Sequence, residues 1–283
     1  MKLCRYGEQG AEKVGIVDPQ GVLRDVSSVM RNLTPRDLAR DSLENLASMP
    51  VDGFPIVPGN PRLGVPWEGM SKFICIGLNY SDHAKEAKMA IPAEPIIFLK
   101  APSALCGPND DTIQPPHSSQ LDWEVELGIV IGRTARYVSK EQALDYVAGY
   151  CVVNDISERA FQLQCSQWDK GKGCDTFGPV GPWLVTADEI ADPGNLDMWL
   201  DVDGIRRQTG NTRTMIFDVP SLVSYCSQYM TLLPGDLIST GTPPGVGMGM
   251  NPPQWLKPGN IVTLGIDGLG RQRQLIVGCE NDF

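Results

Sequence analysis

Residues 121–132 read LDWEVELGIVIG, an alternation of polar and apolar positions that predicts a β-strand. Because successive side chains of a strand point to opposite faces, Asp122, Glu124 and Glu126 share one face. Carboxylates on an otherwise apolar strand cost stability unless water or a cation meets them. Two of them side by side form a site for a hard cation. The alternative is a solvated acidic face, which is common in antiparallel sheets.

A second apolar segment ends in an acidic residue. Residues 147–153 read VAGYCVV, and Asn154 and Asp155 follow. An Asp at the end of a buried strand is a good position for a third ligand. Asp155 can equally be a turn or helix-capping residue ahead of Ser157. Three carboxylates with no Cys or His close by in sequence favour Mg²⁺, Mn²⁺ or Ca²⁺ over zinc.

The bulk composition narrows the class of protein. The chain has 283 residues, 42% of them hydrophobic and 20% charged, which is ordinary for a globular protein. A net charge of −10 argues against nucleic-acid and anionic-membrane partners. The sequence has no run of 18 apolar residues and no signal-peptide core, so no membrane span is expected. Eight scattered cysteines without a Cys-x-x-Cys pair indicate reduced thiols and a cytoplasmic location.

The order of predicted elements favours an α+β fold. Residues 1–70 form a small β-rich module and a proline-rich linker, and residues 71–283 form the main domain. Main-domain strands are predicted at 73–77, 95–100, 122–132, 147–153, 196–203, 236–240 and 261–266, and helices at 81–89, 139–147, 157–167 and 218–230. Because this order has no regular βαβ rhythm, an irregular β-roll or barrel-like domain is expected instead of a doubly wound sheet.

Two further patterns offer groups for acid–base chemistry. His83 and Glu86 are three residues apart, so a helix places them on one face, and a histidine oriented by a carboxylate is a working general base. Lys170 and Lys172 lie in a Gly-rich stretch from which a lysine can reach a developing oxyanion. The plainer interpretations are an exposed helix start and a solvated loop. His117, within PPHSS, is interpreted as a loop residue.

Residues 239–249 read STGTPPGVGMG and follow a predicted strand. They lack the Gly-Lys-Ser/Thr end of a phosphate loop, and Pro252 and Pro253 come too soon for the helix that a dinucleotide fingerprint opens. A nucleotide-binding module is therefore disfavoured. The backbone amides and threonine hydroxyls of this loop are candidates for holding a substrate carboxylate.

Taken together, five segments resemble the fumarylacetoacetate hydrolase family, in family order: 77–83, 122–127, 154–159, 172–182 and 240–247. The opening KLCRYG is similar to a bacterial subgroup of ureidoglycolate lyases and 2,4-diketo-3-deoxy-sugar-acid hydrolases. The resemblance implies a mixed β-roll catalytic domain, a homodimer and a Mg²⁺ or Mn²⁺ ion.

The same resemblance implies a role for each matching residue. It assigns metal ligation to Glu124, Glu126 and Asp155, catalysis to His83, Glu86 and Lys172, and substrate contacts to Arg159, Gln162 and Thr242. Two positions depart from the family pattern. Gly173-Cys174 stands where many relatives have Ser-Phe, and Ala160 stands where Asp is frequent, so the shape of the substrate pocket is open.

The expected reaction is metal-dependent hydrolysis of a C–C bond in a small 2,4-diketo acid, which gives a pyruvate-type product and a second acid. Three alternatives stay open: release of urea from ureidoglycolate, decarboxylation of oxaloacetate, and a non-enzymatic module that binds Ca²⁺ structurally. The small 2-oxo or 2-hydroxy acid is the expected partner.

Overall fold

The structure is a computed structural model that describes residues 1–86 and 90–279. Its strands are β1 (Lys2–Tyr6), β2 (Lys13–Val17), β3 (Leu23–Asp25), β4 (Phe73–Gly77), β5 (Ile96–Lys100), β6 (Leu105–Cys106), β7 (Thr112–Gln114), β8 (Leu121–Asp122), β9 (Val125–Ile131), β10 (Val147–Asn154), β11 (Ser157–Glu158), β12 (Gly178–Thr186), β13 (Asp197–Val202), β14 (Ile205–Asn211), β15 (Leu237–Ser239), β16 (Ile261–Ile266) and β17 (Gly270–Gly278). The α-helices are α1 (Arg40–Ala47), α2 (Ser81–Glu86), α3 (Arg159–Gln162), α4 (Asp169–Lys172) and α5 (Val219–Tyr229). Short 3₁₀ helices span Val51–Gly53, Pro102–Ala104, Lys140–Tyr146, Ala187–Glu189, Thr212–Thr214 and Gly247–Gly249.

Two large sheets organise these strands. A ten-stranded sheet runs in the order β3-β2-β1-β12-β10-β9-β15-β4-β5, and β6 joins it beside β12. Most neighbours are antiparallel, whereas β15 runs parallel to β4 and β6 runs parallel to β12. A five-stranded sheet follows the order β14-β13-β16-β17-β7, and β8 pairs with β11. This mixed arrangement with few helices confirms the predicted α+β β-roll.

The centre of the ten-stranded sheet is buried on both faces. β9 is the clearest case because all seven of its residues are buried. Its residues Val125, Leu127, Ile129 and Ile131 pack into one hydrophobic cluster, which also includes residues of the five-stranded sheet. Val130 packs into a second cluster on the opposite face, together with residues of the N-terminal strands. The polar side chain on β9, Glu126, is therefore largely removed from bulk water.

The N-terminal segment extends the main sheet. β1 pairs antiparallel with β12 through Lys2↔Val185 and Leu3↔Leu184, and β2 and β3 continue outward from β1. Leu3 is fully buried in the second hydrophobic cluster. The first three strands and residues 71–283 thus share one sheet and one core. The boundary predicted near residue 70 rests on the change in the sequence from strand patterns to a proline-rich linker.

Local hydrogen bonds alter three predicted elements. The strand expected over 122–132 is interrupted at Trp123 and Glu124, because the Asp122 side chain accepts from Trp123 N and Asn154 accepts from Glu124 N. The prediction of a helix over 157–167 is wrong at its start, because Ser157 and Glu158 form β11, which pairs with β8. Within that range α3 is the α-helical part. The helix expected over 139–147 is a 3₁₀ helix.

Two other predicted segments differ in extent. α2 forms from Ser81 to Glu86, and the rest of the helix expected over 81–89 falls on 87–89, outside the described residues. The Gly-rich stretch that was expected to be a loop contains α4, a single helical turn that ends at Lys172. The predicted strands around 73–77, 95–100, 147–153 and 261–266 are confirmed to within one residue.

Candidate active site

Strand pairing brings the three predicted metal ligands together. β9 and β10 run antiparallel with Val153 opposite Glu126, and Asp155 N donates to Glu124 O at 2.9 Å immediately beyond the ladder. Carboxylate oxygens of Glu124, Glu126 and Asp155 lie within 4.8 Å of one another. Glu124 is 6% exposed, Glu126 2% and Asp155 0%. The interpretation of residues 122–126 as a solvated acidic face is therefore wrong.

Two cations pair with Glu124. Arg159 Nη2 donates to Glu124 Oε1 at 2.6 Å, and Lys172 Nζ donates to Glu124 Oε2 at 2.6 Å. Burial opposes ionisation of Glu124, but the charges of Arg159 and Lys172 outweigh it and hold the pKa of this carboxyl well below its usual range. Glu124 is therefore an anion at neutral pH.

Glu126 has a different environment. Its Oε2 accepts from Ser239 Oγ at 2.5 Å and from Gly241 N at 2.9 Å. Within residues 1–86 and 90–279, no lysine or arginine forms an ion pair with it. Burial, and then the charges of Asp155 and Glu124, raise the pKa of Glu126 well above its usual value. An additional positive charge beside Glu126 would favour its ionised form.

The donor set fits a divalent metal ion. Asp155 Oδ1 is buried and accepts no hydrogen bond within the described part of the chain; it faces Lys100 Nζ at 2.7 Å in an ion pair. Three clustered carboxylates, one of them without a cationic partner, are the oxygen ligands that Mg²⁺ and Mn²⁺ prefer. Glu124, Glu126 and Asp155 are therefore the residues that would hold such an ion.

A glycine places Lys172 against this cluster. A Cβ on Gly171 would lie 2.5 Å from the backbone N of Gln162, so only glycine allows α4 to pack this closely on α3. Lys172 Nζ also donates to Asp155 Oδ2 at 2.8 Å, and the side chain is 2% exposed. The neighbouring carboxylates raise the pKa of Lys172 above its usual value against the effect of burial. Lys172 is thus a buried cation, whereas Lys170 is exposed.

His83 and Glu86 form the predicted pair on α2. His83 Nδ1 lies 3.1 Å from Glu86 Oε2, and the His83 side chain is 12% exposed. The hydrogen bond from His83 lowers the pKa of Glu86, and Gly245 N adds a second donor at 3.1 Å. In the tautomer that donates a hydrogen bond from Nδ1–H to Glu86, His83 Nε2 carries the lone pair that a general base requires.

The loop over residues 239–249 connects this pair to the carboxylate cluster. Gly241 N donates to Glu126 and Gly245 N donates to Glu86. The two glycines are four positions apart in the sequence, so their nitrogens are at most about 14 Å apart. Trp123 Nε1 fixes the loop by donating to Gly245 O at 3.1 Å. The His83–Glu86 pair and the metal ligands therefore line one region of the molecule.

The loop amides bind the protein's own carboxylates. In addition to the contacts of Gly241 and Gly245, Gly247 N and Met248 N donate to Asp122 at 2.6 and 3.1 Å. These four amides are therefore not left for a substrate carboxylate, which corrects the expectation from the sequence. Their contribution is indirect, because they orient Glu86, Asp122 and Glu126.

The three predicted substrate contacts are buried at the same site. Arg159 Nε donates to Asp122 Oδ2 at 2.9 Å and Nη1 to Gln162 Oε1 at 3.0 Å, so the guanidinium bridges two carboxylates and an amide. Thr242 Oγ1 donates to Val125 O at 2.9 Å and accepts from Gln208 Nε2 at 2.8 Å. Their contacts with substrate stay predictions.

Sequence reasoning missed Lys100 and Ser239. Lys100 ends β5 and is 1% exposed, and Ser239 ends β15 beside Glu126. A signal was present, because a lysine closes the apolar run IIFL of a predicted strand. Its partner could not be read from the sequence, since Asp155 is 55 residues further along the chain.

Other predictions concern residues away from the site. His117 lies in a turn with φ of 64°, consistent with the expected loop. Cys4, Cys75, Cys106, Cys151 and Cys226 are buried thiols, as expected. Among the residues that the structure describes, no helix has the length and apolar character needed to span a bilayer.

Comparison with known proteins identifies the family. Residues 72–277 match the model of the fumarylacetoacetate (FAA) hydrolase C-terminal domain. A 2,4-didehydro-3-deoxy-L-rhamnonate hydrolase of Sphingomonas sp. (strain SKA58) is 55% identical over 278 residues, which cover 98% of this chain and 96% of the relative.

Two solved structures share the whole fold. A fumarylacetoacetate hydrolase from psychrophilic Exiguobacterium antarcticum superposes with a TM-score of 0.87 at 34% identity, covering 99% of this chain and 100% of the other. Maleylpyruvate hydrolase from Sphingobium sp. SYK-6, solved with manganese(II) and pyruvate, has a TM-score of 0.83 at 31% identity, with the same coverage. The chain belongs to the fumarylacetoacetate hydrolase family and is an enzyme.

Proposed function

We propose that this enzyme hydrolyses a C–C bond in a small 2,4-diketo acid, an acylpyruvate or a 2,4-diketo-3-deoxy sugar acid, to a pyruvate-type product and a second acid. The observation that carries the proposal is the juxtaposition of a carboxylate triad with Lys172 and, across one loop, a His–Glu pair. The names of two relatives support it, since one is a hydrolase of a didehydro-deoxy sugar acid and the other was solved with pyruvate and manganese(II).

Glu124, Glu126 and Asp155 would hold Mg²⁺ or Mn²⁺. Bound there, such an ion would supply Lewis-acid polarisation of the substrate carboxylate and 2-oxo oxygens. The protein prepares this position by burial, which excludes competing water, and by hydrogen bonds to each of the three carboxylates.

His83 and Glu86 activate the nucleophile. Glu86 accepts the hydrogen bond from Nδ1, so Nε2 takes a proton from water as the oxygen adds to the C4 carbonyl. The C3–C4 bond then breaks, its electron pair stays on C3 of the pyruvate fragment, and C3 receives a proton. The balance is one water consumed per two acids formed.

Lys172 stabilises the oxyanion on C4. Of its three N–H donors, two are directed at Glu124 and Asp155, and the third is available to the developing charge. Arg159, Gln162 and Thr242 are proposed to contact the substrate, and their hydrogen bonds to protein groups fix where they can do so.

The test is metal-dependent cleavage of an acylpyruvate. Chelator-treated protein is assayed before and after addition of Mg²⁺ or Mn²⁺, by the loss of enol absorbance and by the pyruvate formed. Restored cleavage supports the proposal. Absence of cleavage with either metal contradicts it, and ureidoglycolate and oxaloacetate are then the next substrates to assay. Light scattering tests the predicted homodimer independently.

A further inference from the structure

We propose that Lys100 is a positioning residue, a fixed cation behind Asp155 that aims this carboxylate and limits how tightly the triad binds a divalent ion. The inference rests on the proposed metal-dependent function. The mechanism above makes no use of Lys100, although its side chain is among the largest that are fully buried and it lies against the proposed ligands.

Three contacts occupy the Lys100 ammonium. Nζ lies 2.7 Å from Asp155 Oδ1, donates to Ile156 O at 2.8 Å and donates to Lys172 O. Two of its three N–H groups donate to main-chain carbonyls, the ammonium is paired with Asp155, and the side chain is 0% exposed, so it is enclosed by protein groups and does not face a substrate. Lys100 therefore acts through its neighbours.

These contacts join two parts of the site that are distant in sequence. Asp155 and Ile156 follow β10, whereas Lys172 ends α4. Lys172 in turn donates from its side chain to Asp155 Oδ2, so the Asp155 carboxylate has one cation at each oxygen. Lys100 thus fixes the plane of the Asp155 carboxylate and also the main chain at Lys172.

Charge gives Lys100 a second effect. The buried cluster contains the carboxylates of Asp122, Glu124, Glu126 and Asp155, opposed by the cations Lys100, Arg159 and Lys172. With all four carboxylates ionised, these groups carry one net negative charge, and a divalent ion would change this to one net positive charge, which a substrate carboxylate would then offset. Because Lys100 is 1% exposed, solvent screens its repulsion of that ion only weakly.

The experiment is a Mn²⁺ titration without substrate, by calorimetry, on wild type, Lys100→Met and Lys100→Gln. Methionine preserves the volume, and glutamine preserves a donor for a main-chain carbonyl while removing the charge. Both variants are expected to bind Mn²⁺ at least about tenfold more tightly than wild type. Lys140→Met is the matched control, since Lys140 is half-exposed and pairs with Asp218, away from the site.

A kinetic readout separates positioning from substrate contact. With an acylpyruvate and saturating Mn²⁺, kcat of the Lys100 variants is expected to fall at least about tenfold while KM changes less than about threefold. If Lys100→Met fails to fold, the measurements on Lys100→Gln test the role of Lys100.

The outcomes distinguish two failures. Unchanged or weaker Mn²⁺ binding in a folded variant, with wild type binding the ion, would overturn the role of Lys100 and leave the proposed function standing. No Mn²⁺ binding by wild type would overturn both.

Discussion

Neutralising two neighbouring residues of the proposed metal site is expected to have different effects on stability. Glu124→Gln and Glu126→Gln are the same chemical change, made two residues apart. Glu124 is the partner of Arg159 and Lys172, whereas Glu126 accepts hydrogen bonds from Ser239 and Gly241. The first change therefore leaves buried cations short of negative charge, and the second relieves repulsion among buried carboxylates.

The magnitudes follow from these partners. Breaking a buried ion pair costs about 3–5 kcal/mol. The lower end applies to Glu124→Gln, because Arg159 retains its ion pair with Asp122 and Lys172 retains its ion pair with Asp155. In a chain of this size about 3 kcal/mol corresponds to a Tm lower by about 6–12 °C. Glu126→Gln keeps an acceptor oxygen for Ser239, so a Tm equal to or above that of wild type is expected.

Calorimetry with and without Mn²⁺ tests both statements. At 100 times its Kd the ion should stabilise wild type by about 2.7 kcal/mol, and both variants should lose this effect along with metal-dependent turnover. The exposed Glu141→Gln is the control. Equal destabilisation of the two variants would refute the charge assignment, and Mn²⁺-dependent activity in Glu124→Gln would refute the metal site.

Three further predictions follow from the same geometry. His83→Ala should lower hydrolysis of an acylpyruvate by about 10²–10⁴-fold while sparing oxaloacetate decarboxylation, which needs no activated water; full hydrolysis in this variant would remove His83 from the mechanism. Lys172→Met should lower kcat about 10²–10³-fold if the ammonium meets the oxyanion, and an effect on KM alone would argue against that role. The raised pKa of Glu126 favours the metal-free folded state when this group is protonated, so that contribution is full below the ordinary pKa of 4.5 and is lost as pH rises through the folded pKa. The thermal stabilisation by Mn²⁺ should accordingly increase with pH above about 4.5, and a flat pH profile would contradict it.

The ligands were readable because strand periodicity is local. Alternation alone placed Glu124 and Glu126 on one face of the predicted strand, of which Glu126 lies in β9 and Glu124 directly precedes it, and the apolar run of β10 placed Asp155 at a strand end. The His83–Glu86 pair follows from helix spacing in the same way. The family resemblance then assigned roles that residue patterns left open, and the family itself is confirmed.

Other features of the site depend on contacts between distant segments. The burial that excludes a solvated acidic face comes from two clusters packed on opposite faces of β9. The loop over 239–249 shows best that residue types alone do not predict which groups their amides will bind. Its glycines and threonines indicated a free anion-binding surface, yet the fold turns four of its amides onto Glu86, Asp122 and Glu126.

The sequence by itself therefore indicated candidate residues for the chemistry, through periodicities of two and 3.6 that the backbone imposes on neighbouring side chains and through the family resemblance. Only the tertiary structure decided which charge faces which. Lys100 lies against Asp155, and Arg159 lies between Asp122 and Glu124, because the fold brings the C-terminal ends of β5 and β10 together and places α3 beside Asp122 and Glu124. Ion pairing depends on distance through space, which residue order does not encode.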